Sequence, residues 1–122
     1  MDPDVRARLD RANEERIAGN YEEAAKLYNE VLPLLAEGEE EAEARHGLGS
    51  VLLFTGMFDE GLEELKRAHE QSPNDPKIYL DLAKTHLMLG MYDIAQPQLA
   101  EIAELFPNTP EADEAKKQLS YF

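Results

Sequence analysis

The side chains most able to do chemistry in this chain are three histidines and a large excess of carboxylates. His46, His69 and His86 lie far apart in the sequence, so no two of them have the i, i+4 spacing that places metal ligands on one helical face. The chain has no cysteine, which excludes thiolate nucleophiles, thiolate metal sites and disulfides. No serine lies in the Gly-x-Ser-x-Gly context of a nucleophile elbow. These residue types and spacings give no support to covalent or metal-assisted catalysis.

The carboxylates are too numerous and too widely spread to mark a catalytic pair. The densest run, residues 37–43, lacks the aspartate, asparagine and glycine spacing of a calcium-binding loop. Carboxylates are favourable at the positive end of a helix dipole, so this run is interpreted as the start of a helix. The glycines lie in turns and not in a phosphate-binding loop. The sequence therefore predicts that the protein is not an enzyme and has no metal ion and no cofactor.

The composition of this 122-residue chain argues against two classes of partner, nucleic acids and membranes. Its 26 acidic and 12 basic residues give a formal net charge of −14, which repels nucleic acid and anionic membrane surfaces and keeps a protein soluble. No apolar run approaches the roughly 20 residues that a membrane-spanning helix needs. The start of the chain, Met1 to Asp4, is too polar for a signal peptide. We therefore expect a cytoplasmic protein without nucleic-acid binding or membrane insertion.

A three-residue pattern occurs three times along the chain. In each copy a glycine is followed by an aromatic residue two positions later and by a small residue five positions later. The copies are Gly19, Tyr21 and Ala24; Gly56, Phe58 and Gly61; and Gly90, Tyr92 and Ala95. The glycines recur at intervals of about 37 and about 34 residues, and such a period is typical of stacked helical hairpins.

Further positions repeat in the same register. A leucine–small pair precedes the glycine, as in Leu82-Ala83; a leucine follows it by nine positions, as in Leu99; and a proline follows it by seventeen, as in Pro107. This pattern resembles the tetratricopeptide repeat (TPR), over about residues 5–109. The resemblance implies an all-α fold: a right-handed superhelical stack of three TPR-like helical hairpins plus a C-terminal capping helix.

The predicted boundaries follow from the repeat and from turn residues. We expect a single domain over 1–122, with repeats at about 5–38, 42–75 and 76–109 and a capping helix at 110–122. The predicted helices lie near 3–18, 21–36, 40–55, 59–71, 76–89, 93–105 and 110–121. Gly49 and Gly61 should let two helices approach closely, while Leu65 and Leu99 should fill the adjoining space. Pro33 should kink or end its helix, whereas Pro97 should lie in a first turn.

The first copy departs from the pattern. Arginine and glutamate occupy core-facing positions at Arg8, Arg11 and Glu15. Four apolar side chains remain to pack its first helix: Val5, Leu9, Ala12 and Ile17. We interpret this helix as an atypical terminal element that is held less firmly than the rest of the stack.

In the TPR family the first helix of each hairpin lines a concave surface, so the resemblance implies a peptide-binding groove. The matching positions are Arg6, Leu9, Asn13, Arg16, His46, Ser50, Leu53, Phe54, Lys77, Leu80, Lys84, Leu87 and Met88. With the adjacent groove positions Asp10, Ile17, Glu43, Gly47 and Asp81, the set has a net charge of +1, which leaves −15 for the rest of the chain (−14 − 1). Apolar side chains among cations predict a peptide or partner helix with apolar anchors and an acidic flank.

One ligand class within the family is not expected here. The branch that holds the C-terminal carboxylates of heat-shock chaperones uses five polar side chains. The matching positions are Leu9, Asn13, Ser50, Lys77 and Asp81. Only Asn13 and Lys77 agree with that clamp, and Asp81 reverses the charge.

Three alternatives remain open from the sequence. Ile17, Phe54 and Met88 could be covered by neighbouring helices and not available to a ligand. Tyr121 and Phe122 could dock a second copy, which would make the protein a self-associating structural component through its terminal helices. The chain could also be a solubility-optimised scaffold, natural or designed, that has no ligand.

Overall fold

The protein is built from seven α-helices and one short 3₁₀-helix, as described for residues 1–122 by a computed structural model. The elements are α1 (Pro3–Ile17), α2 (Tyr21–Val31), the 3₁₀-helix (Leu32–Leu34), α3 (Glu39–Phe54), α4 (Phe58–Gln71), α5 (Pro76–Met88), α6 (Tyr92–Leu105) and α7 (Pro110–Leu119). The all-α prediction is confirmed, and six of the seven helices begin and end within two residues of their predicted bounds.

The helices begin where side chains cap exposed backbone amides. The Asp75 carboxylate accepts the backbone N–H of Lys77 at 2.9 Å, and the Thr109 hydroxyl accepts that of Ala112 at 3.1 Å. A proline follows each cap as the first helical residue, where its missing N–H and fixed φ carry no penalty. These two caps fix the starts of α5 and α7.

The first helix of each hairpin ends at a glycine with positive φ. At the end of α1, Gly19 has φ of 84° and donates to the carbonyl of Arg16 at 3.0 Å, while Asn20 donates to Glu15 at 2.9 Å. This bond pair is the Schellman arrangement, which satisfies carbonyls that the helix itself leaves open. The same two bonds recur at the ends of α3 and α5, so the repeated glycine acts as a helix stop.

The two prolines within predicted helices behave differently. Helix α2 ends at Val31, and Pro33 lies in the 3₁₀-helix that follows, so the predicted break is confirmed and falls five residues before the predicted helix end. Pro97 is the sixth residue of α6, one residue deeper than the predicted start at 93 implies and just beyond the first turn. It has no N–H to offer the carbonyl of Asp93, yet α6 continues to Leu105.

The first compact unit spans Met1–Ser72 and contains the hairpins α1–α2 and α3–α4. Its main apolar cluster is Leu9, Ala12, Ala24, Tyr28, Val31, Ala44, Leu48 and Val51. The predicted close approach of α3 and α4 is confirmed, because a Cβ added at Gly61 would lie 3.0 Å from the backbone oxygen of Gly49. Leu65 is fully buried beside this contact.

The second compact unit spans Pro73–Phe122 and contains the hairpin α5–α6 together with α7. Its core consists of Tyr79, Leu80, Ala83, Leu99, Ile102 and Ala115. Leu99 is fully buried, as predicted, and so are the two small residues Ala83 and Ala95. Ala115 brings α7 onto this core, so the seventh helix covers the apolar side of the third hairpin.

Candidate functional site

Large apolar side chains at the ends of the first helices are open to solvent. Ile17, Phe54 and Met88 are 76%, 70% and 56% exposed. Each lies two positions before its hairpin glycine, so we call them the exposed apolar positions. The alternative that they are covered by neighbouring helices is wrong, as is the expectation that Ile17 packs α1. Exposed apolar residues that recur at one place in a repeat indicate an interaction surface.

An aromatic contact supports one of these positions. The ring of Phe54 stacks on Tyr21, the first residue of α2, with ring centroids 5.3 Å apart and an interplanar angle of 9°. Tyr21 lies two positions after the hairpin glycine Gly19, so an aromatic residue of one hairpin supports the helix end of the next. The stack fixes the direction of Phe54 while most of its surface remains exposed.

A polar network begins at Arg6 on α1. The Arg6 guanidinium donates two hydrogen bonds to the Glu43 carboxylate on α3, at 2.9 and 2.5 Å. It also donates to Asp10 one turn further along α1, at 2.9 and 2.6 Å. Such bidentate charge-assisted pairing is strong and directional. The hydrogen bonds from Arg6 hold the pKa of Glu43 below its usual value, and the bonds to Glu43 and Asp10 raise the pKa of Arg6.

The network continues from Glu43 to a buried tyrosine on α2. Asn13 donates to Glu43 at 2.9 Å and accepts the hydroxyl proton of Tyr28 at 2.5 Å. Arg16 donates to the Tyr28 oxygen at 3.0 Å. Tyr28 is fully buried, and desolvation raises its pKa. The polar network (Arg6, Asp10, Asn13, Arg16, Tyr28 and Glu43) thus joins α1, α2 and α3.

Gly47 makes room for this network on α3. A Cβ at Gly47 would overlap the hydroxyl end of the Tyr28 ring. The absence of a side chain lets the phenol reach between α1 and α3 and bond Asn13. The sequence placed Gly47 beside the groove, and the structure gives it a packing role.

The remaining predicted residues of the first unit differ in accessibility. Leu9 is fully buried in the core, so it cannot contact a ligand. Leu53 packs on α4, because its Cδ2 would lie 3.0 Å from a Cβ at Gly61. Ser50 and His46 are half-buried on α3, and the Ser50 hydroxyl donates to the His46 carbonyl at 3.0 Å.

In the second unit, α5 carries five predicted residues. Leu80 belongs to the core and does not reach a ligand. Lys77 is exposed, and Lys84 lies 3.7 Å from the Glu114 carboxylate of α7. Leu87 packs against the edge of the core, and Met88 is one of the exposed apolar positions. The charge counted from sequence already included Asp10 and Glu43, the partners of Arg6. The pairing of Lys84 with Glu114, which lies outside that set, further offsets the counted positive charge.

Sequence reasoning missed a cleft in the second unit. It has a volume of about 450 Å³ and is lined by Leu87, Tyr92, Gln118, Tyr121 and Phe122; we call it the C-terminal cleft. The edge of the Phe122 ring meets Tyr92 at a centroid distance of 5.9 Å and an angle of 78°. The available signal was spacing, since Tyr121 and Phe122 lie one repeat length after Leu87 and Met88.

Metal-ligating side chains are not clustered in this protein. No three or more His, Asp or Glu side chains are grouped so that they could hold a metal ion. The helices also differ from membrane spans, because none is both long enough and apolar enough to cross a bilayer.

A family model described as tetratricopeptide repeat matches residues 55–119, which is more than half of the chain. The chain belongs to the tetratricopeptide repeat family. The matched residues include the second and third hairpin glycines, Gly56 and Gly90, and helix α7. The TPR resemblance found in the sequence is therefore confirmed.

A curated human relative shares part of the TPR sequence. The Protein SGT1 homolog of Homo sapiens is 41% identical to this chain over 51 residues. The matched segment covers 42% of this chain and 14% of that protein. The likeness therefore concerns a short stretch of TPR sequence within a much longer relative.

Solved structures match nearly the whole chain. The type III secretion translocator chaperone SycD of Yersinia enterocolitica matches with a TM-score of 0.85 and 19% identity, covering 100% of this chain and 92% of SycD. PcrH in complex with the chaperone binding region of PopD gives 0.84 and 21%, covering 99% and 92%. The Arabidopsis OM64 TPR domain gives 0.81 and 18%, covering 96% and 94%. At these identities the likeness shows the TPR fold.

Proposed function

We propose that this chain is a noncatalytic protein-binding module that holds a peptide or a helix of a partner protein through the exposed apolar positions. The observation that carries the proposal is that each hairpin exposes a large apolar side chain at the same position of the repeat. These side chains are Ile17 and Phe54 in the first unit and Met88 in the second. Both apolar cores are closely packed and buried, so the exposed side chains are not a sign of a loose fold. Covering large apolar side chains that face solvent gives a favourable free energy of binding, because it removes apolar surface from water.

The structural neighbours support this proposal by analogy. One is described as PcrH with the chaperone binding region of PopD, and another as SycD with a peptide of the translocator YopD. Both share the fold of this chain and hold a segment of another protein. A module that binds partner segments inside the cytoplasm is the role most in keeping with this fold, and no residue arrangement favours catalysis.

The charge of the ligand remains a prediction. Lys77 and Lys84 are the exposed cations among the predicted site residues, and Lys84 already faces the Glu114 carboxylate, as Arg6 faces Glu43. A ligand with an acidic flank would therefore depend on Lys77, and on Lys84 only if the ligand competes with Glu114. Lys77→Glu should weaken such a ligand, and raised salt should do the same because exposed pairs are screened.

An unbiased peptide display library screened against the full chain tests the proposed function. The recovered peptides are then measured by fluorescence anisotropy against Ile17→Ser/Phe54→Ser, which we expect to lose at least about tenfold in affinity. Leu105→Ser is the matched control, because Leu105 is comparably exposed but lies on a second helix outside the repeated place. Equal loss in the control would reject the exposed apolar positions as the binding surface.

The two competing interpretations, a scaffold without a ligand and a self-associating protein, predict other results. A scaffold without a ligand would yield no enriched peptide. A self-associating protein would sediment as a larger species at high concentration, and its association would be reduced by Tyr121→Ser/Phe122→Ser. The absence of any enriched peptide would reject the peptide-binding module, and a larger sedimenting species together with no peptide binding would favour the self-associating protein.

A further inference from the structure

The C-terminal cleft is formed mostly by exposed aromatic side chains, two of which, Tyr92 and Phe122, contact each other. Tyr92, Tyr121 and Phe122 are 55%, 72% and 53% exposed, and Leu87 forms the side nearest the core. Its volume of about 450 Å³ is within the range of small ligand pockets. Exposed aromatic residues of this kind are enriched at binding surfaces because they offer large apolar area at low entropic cost.

Helix α7 repeats features of the first helix of a hairpin, although the sequence shows no fourth glycine. Pro110 lies one repeat length after Pro76, and each proline opens its helix. Phe122 follows Met88 by the same interval. The contact of Phe122 with Tyr92 resembles that of Phe54 with Tyr21. In both, the aromatic residue two positions after a hairpin glycine contacts an aromatic residue at or just beyond the end of a later helix, although the rings stack in the first pair and meet edge to face in the second. Phe122 thus belongs to the same repeated place as the exposed apolar positions.

The side chains that line the cleft carry no charge. On α5 and α7, the Lys84 ammonium lies 3.7 Å from the Glu114 carboxylate, and Lys117, next to Gln118 in the sequence, also attracts this carboxylate. The Gln118 amide donates to the same Glu114 at 2.9 Å. This leaves the Gln118 carbonyl oxygen as an acceptor beside an apolar lining.

We infer that the C-terminal cleft receives one large uncharged side chain, such as leucine, methionine or phenylalanine, from the partner peptide. The inference rests on the proposed function and adds a second anchoring point to it. Charge complementarity selects the occupant, because none of the lining side chains can pair with a charge, and burying an unpaired charge costs free energy. A second copy is a poorer occupant, since each chain carries a net charge of −14.

The probe for this cleft is N-acetyl-leucinamide, a neutral leucine with two peptide bonds. Titration into the full chain, followed by ¹H–¹⁵N correlation spectra, should give saturable shifts at the amides of Leu87, Tyr92 and Gln118 with millimolar affinity. N-acetyl-lysinamide and N-acetyl-glutamate should give no saturable shift there. Absence of saturation with the leucine probe, or equal response to a charged probe, would overturn the inference.

The variant Tyr121→Ser/Phe122→Ser tests the lining itself. Both residues follow the last helical residue, Leu119, and both are exposed, so the fold should persist and far-ultraviolet circular dichroism should be unchanged. We expect the leucine shifts to be lost and the library peptides to bind about tenfold more weakly. Leu105→Ser, in the same unit, should leave both unchanged.

The outcomes separate this inference from the proposed function. If library peptides bind the parent chain and the double variant equally well, the cleft is not an anchoring point while the module remains. If no peptide binds the parent chain, both fail. If the cleft amides shift with protein concentration alone, and sedimentation shows a dimer, a second copy is the occupant and the inference is overturned.

Discussion

The first helices of the two compact units are fastened by different kinds of interaction. In the first unit, α1 buries only Leu9 and Ala12 and is tied to α2 and α3 by the polar network. In the second, α5 buries seven residues and is held mainly by an apolar core, with separate polar contacts to α6 and α7. One repeat pattern therefore accommodates a first helix held by two buried apolar residues and a polar network, and a first helix held mainly by apolar packing.

The arginines of α1 explain how a helix with so few apolar residues stays attached. Partly buried charge-assisted bonds such as Arg6 to Glu43 replace contacts that the other first helices make with leucine. Such bonds depend on protonation and on every partner being present, because a buried polar group that loses its partner costs free energy. The stability of the first unit should therefore depend more on pH and on the loss of single hydrogen-bond partners than that of the second unit.

The largest expected loss of stability comes from a buried leucine position that the two units share. Leu65→Ala and Leu99→Ala should each lower the free energy of unfolding by about 2–5 kcal/mol, because both leucines are fully buried at the same repeat position. Urea denaturation followed by circular dichroism measures both. A loss below about 0.5 kcal/mol in either variant, the range of ordinary surface substitutions, would show that the two hairpins do not use this position alike.

The next effect is specific to the first unit. Tyr28→Phe removes a fully buried hydroxyl that bonds Asn13 and Arg16, and we expect a loss of about 1–3 kcal/mol. Tyr79→Phe is the matched control, since the Tyr79 hydroxyl bonds Glu101, an exposed residue, and its removal should cost less. A larger loss for Tyr79→Phe would reverse the contrast between the units.

Acid should weaken the first unit through Glu43. Its folded-state pKa is lowered by the hydrogen bonds from Arg6, so its ionised form contributes stability above the ordinary carboxyl pKa, and this contribution is lost as pH falls through the lower folded value. Glu43→Gln should cost less than about 1 kcal/mol at neutral pH because the pair is partly exposed. Urea midpoints from pH 7 to pH 3 should fall less steeply in Glu43→Gln than in the parent; equal slopes would exclude Glu43 as the source.

The smallest expected effect is a difference in amide hydrogen exchange between the two units, which needs no mutation. Amides of α1 should exchange faster than those of residues 76–105, because α1 has the smaller buried apolar set. Hydrogen exchange followed by mass spectrometry measures both segments in one sample. Equal protection would mean that the polar network holds α1 as firmly as an apolar core does.

Spacing alone predicted the helices, and the reason is that turn residues act locally. The hairpin glycines, the capped prolines and Pro33 each end or begin an element by their own backbone preferences. The buried leucines Leu65 and Leu99 followed from the same register. These features need no knowledge of what lies across the fold.

The site was harder to predict, because accessibility depends on partners far along the chain. Arg6 resembles a free groove cation until Glu43, on a different helix, is seen to bind it. Leu9 and Leu80 were assigned to the same groove as the exposed Phe54 and Met88, yet both leucines are buried. Phe122 has no repeat glycine to identify its position, so the sequence signal for it was only its spacing of one repeat length from Met88.

The fit of Tyr28 against Gly47 constrains the order in which substitutions at these two positions can accumulate. Any side chain at Gly47 would overlap the phenol, so that position stays closed to substitution while the tyrosine is present. Once Tyr28 has become leucine, alanine at position 47 would meet open space instead of a ring. The two sites should therefore vary together among descendants of this sequence, with the change on α2 arriving first. The reverse order would pass through an intermediate that is less stable than either end point.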